Sequence, residues 1–147
     1  MFTKILIPLD GSKTSEKVLP LARVLAATLN LPIELLEVVD VSAATAHVAA
    51  DKARYLDALI AEGESVSREH LKEVAANFSG SKVACTVERG KPADVIIETA
   101  AAEPGTLIAM ATHGRSGVNR WLMGSVAEKV LRGSSNPLFL VRASEED

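Results

Sequence analysis

Four stretches of this chain are continuously apolar and a fifth alternates. Lys4-Ile5-Leu6-Ile7-Pro8-Leu9 comes first and Ile33 to Val39 second; Val83 to Val87 alternates as the third; Thr106 to Met110 is the fourth and Leu138 to Val141 the fifth. Short apolar runs without alternation mark strands buried on both faces, as in a parallel sheet covered by helices on either side. Between them the spacing turns helical. Ser12 or Ser15 is placed to cap a helix running to about Leu29, with Leu21, Leu25 and Leu29 on one stripe. Pro20 within it predicts a kink or a late start. From about Ala50 to Phe78, the residues Leu56, Leu59, Ile60, Leu71, Val74, Ala75 and Phe78 recur at helical intervals, with Gly63 a point of bending. Pro92 suits the first turn of a third helix to about Ala102, which Glu103-Pro104-Gly105 stops. Gly124 or Ser125 opens a fourth, ended by Gly133 before Pro137.

Strand and helix therefore alternate five times, which predicts a doubly wound α/β domain spanning 1–147. Handedness makes each crossover right-handed but leaves the strand order open. No linker, repeat or low-complexity tract interrupts the pattern, and only Ala143 to Asp147 reads as a loose acidic tail.

Composition narrows the function classes. Apolar residues make up 48% of the 147, which excludes a disordered chain. With 16 Lys+Arg against 19 Asp+Glu, the net charge is −3, and an acidic chain argues against nonspecific nucleic-acid binding. Arg115, Arg120, Lys129 and Arg132 nevertheless gather around one glycine-rich stretch, opposed only by Glu128. The single cysteine, Cys85, excludes an intramolecular disulfide and sits in the apolar alternation, where it reads as a buried structural thiol. The N-terminus lacks a signal-peptide layout, and no apolar run reaches the roughly 18 residues a membrane span needs, so a soluble, cytoplasmic chain is expected.

The chemistry concentrates where strands end. In open α/β sheets, ligands lie beyond the carboxyl ends of the strands, where the winding reverses. Here those ends carry Pro8-Leu9-Asp10-Gly11-Ser12, then Val38-Val39-Asp40, then Met110-Ala111-Thr112-His113-Gly114-Arg115-Ser116-Gly117, with Gly124-Ser125 restarting a helix. Glycine lets backbone N–H groups approach an anion, and a helix start offers free donors and a positive dipole end. A ligand touching all three ends would rest phosphates on the glycine loop and a flat group between the first two strands. That shape suits a nucleotide. Simpler roles stand beside each assignment: Asp10 and Ser125 as helix caps, His113 ordering its loop, His47 and His70 on the surface, Trp121-Leu122-Met123 packing beneath the loop.

These residues resemble the universal stress protein family in its ATP-binding branch. The resemblance runs from Lys4-Ile5-Leu6-Ile7-Pro8-Leu9-Asp10-Gly11-Ser12, through Glu37-Val38-Val39-Asp40, to Gly124-Ser125-Val126-Ala127-Glu128-Lys129-Val130 and Asn136-Pro137-Leu138-Phe139-Leu140-Val141. The family's signature is glycine, two residues, glycine, nine residues, glycine and serine or threonine; Gly114, Gly124 and Ser125 fit it, while Ala111 stands at its first glycine. A methyl is the smallest addition there, so weakened rather than abolished binding is expected. The resemblance implies five parallel strands in order 3-2-1-4-5, adenine near Pro8, Asp10 and Val38, ribose near Met110 and Ala111, and a triphosphate on Gly114, Gly124, Ser125 and Val126. ATP or AMP, with or without Mg2+, is the implied cofactor, and a homodimer through the edge strand Pro137 to Val141 the implied assembly.

Function then divides among classes. A module that holds its nucleotide is favoured by a phosphate cradle without the Gly-x-x-x-x-Gly-Lys loop of the P-loop enzymes. A slow ATPase, or autophosphorylation on Thr112, Ser116 or Ser125, would rely on Asp10 as the nearby carboxylate. A nucleotide-free interaction protein is the third reading. A phospho-receiver is disfavoured, because Glu88-Arg89 and Arg142 stand where it needs an aspartate and a lysine.

Overall fold

The computed structural model describes residues 1–42, 52–113 and 124–143. His47, Gly114, Arg115, Ser116, Gly117, Arg120, Trp121, Leu122, Met123 and the tail 144–147 lie outside the described residues. In chain order the elements are β1 (Lys4–Leu9), a 3-10 turn (Ser15–Val18), α1 (Leu19–Leu29), β2 (Ile33–Asp40), α2 (Ala53–Ala76), β3 (Val83–Gly90), α3 (Pro92–Ala101), β4 (Thr106–His113), α4 (Ser125–Gly133) and β5 (Leu138–Ala143). The five strands form one parallel sheet in the order β3-β2-β1-β4-β5. This is the doubly wound α/β architecture expected above. Ala143, expected in the tail, is instead the last residue of β5, paired with His113.

Each face of the sheet has its own apolar layer, because neighbouring side chains on a strand point to opposite sides. Ile5, Ile7, Ile33, Leu35, Leu107 and Ala109 face α1 and α2. Leu6, Leu36, Ile108 and Met110 face α3 and α4. Central strands covered on both sides explain the uninterrupted apolar runs. The edges differ: no residue of β3 is fully buried, and Leu138 to Val141 of β5 are only half-buried.

The helices correct the expected stripes. Pro20 falls in the first turn of α1, so the helix starts late, after the 3-10 turn, without a kink at proline. Its buried side is Leu19, Ala22 and Ala26, whereas Leu21 and Leu29 are exposed. Leu25, the middle leucine of the expected stripe, is half-buried and packs against the same layer as the two alanines. In α2, Ile60, Leu71 and Val74 are buried but Leu59 is exposed. The helix runs through Gly63, whose missing side chain faces Val39; an added Cβ would meet Val39 Cγ1 at 3.5 Å. Cys85 is exposed on edge strand β3 rather than buried. Its thiol still reaches Leu71 O at 3.6 Å, and desolvation pushes its pKa up, away from reactivity.

Candidate functional site

Pro8 decides where the sheet opens. Ile5 donates its N–H to Pro32 O at 3.0 Å, towards β2. Alternation then turns the N–H positions of the even-numbered residues towards β4, and at Pro8 that donor is missing. The β1–β4 ladder accordingly runs only from Lys4↔Thr106 to Leu6↔Ile108. Beyond it β1 stays paired with β2 as far as Leu9↔Glu37, and β4 with β5 as far as His113↔Ala143. The two central strands therefore part at their carboxyl ends, where the winding direction reverses. A proline inside a central strand is the sequence signal for that opening.

The β1 end closes into a hydrogen-bonded turn. Asp10 is exposed, and its Oδ1 accepts the Ser12 N–H at 2.9 Å as well as the Ser12 hydroxyl. Ser15 donates its N–H to Ser12 Oγ at 3.1 Å and its hydroxyl to Ser12 O at 2.9 Å. Gly11 completes the turn at φ +82°, a conformation that favours glycine. Asp10, Ser12 and Ser15 thus shape the turn and do not cap α1, whose N-cap position is Val18. Asp40 repeats the device at the β2 end, accepting the Ser42 N–H at 3.0 Å.

Four of the expected site residues share one face of the sheet. Met110 is buried in the α3/α4 layer, and Val38 and Val126 pack against that same layer. Pro8, buried, follows Leu6 by two and so faces the same way. Ala111 points to the opposite face, among the residues packed on the α1/α2 layer. Gly124 is the N-cap of α4 at φ −55°, ψ 150°, with no side-chain cap. The first intrahelical bond runs from the Glu128 N–H to Gly124 O at 3.0 Å. The N–H groups of Ser125, Val126 and Ala127 consequently have no acceptor within the helix, the arrangement that suits an anion. Ser125 itself is exposed. Arg132, counted above among the loop's cations, lies in the last turn of α4 and pairs with Glu128 at 3.0 Å. Seven residues from Ser125, it is roughly 10 Å along the helix.

One polar cluster was not legible beforehand. Glu37, only 7% exposed, projects from β2 on the α1/α2 side. Its Oε1 accepts the Ser67 hydroxyl at 3.1 Å, and its Oε2 lies 2.8 Å from His70 Nδ1. The other ring nitrogen of His70 lies 2.8 Å from Glu16 Oε1 on the 3-10 turn. His70, expected on the surface, is thus largely enclosed between two carboxylates. Burial lowers its pKa, but hydrogen bonds to Glu37 and Glu16 and their charges outweigh that and raise it overall. A carboxylate inside an apolar strand, with Ser67 and His70 three residues apart on a facing helix, was the available signal.

Among the described residues, no helix is long and apolar enough to cross a membrane, and no group of three or more His, Cys, Asp or Glu is placed to hold a metal ion.

Comparison with known proteins agrees with this architecture. The family model described as the universal stress protein family matches residues 1–142. Universal stress protein MJ0531 of Methanocaldococcus jannaschii is 30% identical over 147 residues, covering 100% of this chain and 86% of the relative. The solved structure of MJ0577, from the same organism, superposes with a TM-score of 0.83 at 25% identity over 97% of both chains. A universal stress protein solved in complex with cAMP superposes at 0.62 with 19% identity, covering 96% of this chain and 97% of the other. Matched over nearly its whole length in sequence and in fold, the chain belongs to the universal stress protein family.

Proposed function

We propose that this chain binds an adenine nucleotide, ATP or AMP, in the opening between β1 and β4, and that it holds the nucleotide rather than turning it over rapidly. The parting of β1 from β4 at Pro8 carries the reading, because it sets an apolar floor beside the N–H groups of α4 that have no acceptor within the helix. Adenine lies against Pro8 and Val38 with Asp10 at its edge, and ribose near Met110 and Ala111. The phosphates rest on Gly114 and on the start of α4 at Gly124, Ser125 and Val126. The relative solved with cAMP supports an adenine-containing ligand for this fold. A triphosphate ordinarily travels with Mg2+. The holding role is supported by the absence in the sequence of a Gly-x-x-x-x-Gly-Lys loop.

Calorimetric titration with ATP, AMP and cAMP, with and without Mg2+, tests this. Several phosphate hydrogen bonds together with adenine burial give roughly micromolar affinity, about −8 kcal/mol. No binding up to millimolar ATP refutes it, and rapid phosphate release from bound ATP refutes the holding role. β5, at one end of the strand order, presents a half-buried apolar edge from Leu138 to Val141. Such an edge suits antiparallel pairing with a second copy into a two-fold homodimer. Sedimentation at micromolar concentration reads this directly, and a strict monomer refutes it.

A further inference from the structure

The Glu16–His70–Glu37 bridge lies outside the proposed nucleotide contacts, yet it ties together three elements around the β1 end. Glu37 immediately precedes Val38 on β2, and a Cβ on Gly11 would sit 3.6 Å from Glu37 Oε1. The Asp10–Gly11 turn therefore lies directly over this carboxylate. Glu16 belongs to the 3-10 turn of Ser15–Val18, which packs against β4, β5 and β1 and whose Val18 is fully buried. His70 comes from α2 and spans the gap between Glu37 and Glu16.

We propose that His70 is a positioning residue, and that its bridge to Glu16 and Glu37 is a proton-operated latch holding the Asp10–Gly11 turn and the following 3-10 turn in the geometry that receives an adenine nucleotide. The proposal rests on the nucleotide reading above. An imidazolium has two N–H donors and satisfies both carboxylates at once; a neutral imidazole has one. Loss of the proton leaves a ring lone pair facing either Glu16 or Glu37. Glu37 is the buried member and keeps Ser67 as a second partner, so Glu16 is the carboxylate released. The 3-10 turn then loses its tie to α2.

No cation competes for this place among the described contacts. Glu37 faces His70 from β2 and Glu16 faces it from the 3-10 turn. From β3, Arg89 is held by Glu64, which Arg68 of α2 also approaches. Because the folded-state pKa of His70 lies above its ordinary value of about 6.5, the stabilisation is fully present below that pH. It is lost as pH rises through the folded value.

The test is titration of the whole protein with ATP across roughly pH 5.5 to 8.5, for wild type, His70→Gln and Glu16→Gln, the range over which a histidine of this kind changes charge. Glutamine keeps a donor without a titrating charge, and Glu16→Gln, partly exposed, breaks the latch from its accessible end. Wild-type affinity is expected to fall about tenfold as pH rises, the worth of one hydrogen bond to a charged group, beyond any change shared by all three proteins. Both variants are expected to lack that extra fall and to match wild type at its high-pH level. Binding that persists with one identical pH profile in all three overturns the latch alone. Absence of ATP binding by wild type at every pH overturns the nucleotide reading itself.

Discussion

The Ser12 N–H donates to Asp10 Oδ1 across 2.9 Å, so the carboxylate that closes strand β1 also shapes the turn after it. Asp10→Ala removes that acceptor and the one used by the Ser12 hydroxyl. The turn is exposed, so global stability is expected to fall by only about 1 kcal/mol. Nucleotide affinity is expected to fall by about tenfold or more, through loss of the polar edge near adenine and loosening of the turn. Calorimetry and denaturant unfolding on the same preparation separate the two. An affinity loss no larger than the stability loss would remove Asp10 from the site.

Gly124 has ordinary backbone angles, φ −55° and ψ 150°, so its role is not a conformation that only glycine can adopt. Gly124→Val is therefore expected to fold, at a cost of about 1 kcal/mol for a poor N-cap residue. A branched side chain at the start of α4 would stand between an anion and the N–H groups of Ser125 and Val126. Binding of ATP is expected to drop beyond detection while the far-ultraviolet circular dichroism spectrum is unchanged. Normal ATP binding by the folded variant would move the phosphates elsewhere.

The sheet was legible because its central strands are buried on both faces, and Ile5-Leu6-Ile7, Leu35-Leu36 and Leu107-Ile108-Ala109 therefore read as unbroken apolar runs. Helix faces were less so. Leu21 and Leu59 repeat at helical spacing yet are exposed, while Ala22 and Ala26 take the buried side of α1 and Ile60 that of α2. Periodicity locates a stripe but does not rank a small residue above a large one for the contact. Around the candidate site, the end of β1 and the start of α4 are set by local chemistry, and Pro8-Leu9-Asp10 and Gly124-Ser125 marked them. The link among Glu16, Glu37 and His70 joins residues as far as 54 positions apart and depends on α2 lying over β2 and the 3-10 turn, which no local pattern specifies.

Asn136 fastens the other end of the sheet. Its side-chain amide donates to Ala100 O at 3.0 Å and to Thr106 O at 3.1 Å, joining the end of α3 to the start of β4 just before β5. Asn136→Ala strips donors from two carbonyls and is expected to cost roughly 2–3 kcal/mol. Urea unfolding measures it. The proposed site is at the opposite ends of these strands, so ATP affinity of the folded variant is expected to stay within about twofold of wild type.

Thr106, beside that tie, is fully buried, and its Oγ1 has no hydrogen-bond partner among the described residues. A hydroxyl taken out of water without a partner costs free energy, whereas a methyl in its place is near its preferred environment. Thr106→Val keeps the β-branched shape that suits a strand and leaves the backbone carbonyl used by Asn136 untouched. The variant is expected to gain about 1 kcal/mol, seen as a rise in Tm of roughly 2–4 °C by calorimetry. A fall in Tm would mean that the hydroxyl meets a partner in solution, and a bound water at that position would be the first thing to look for.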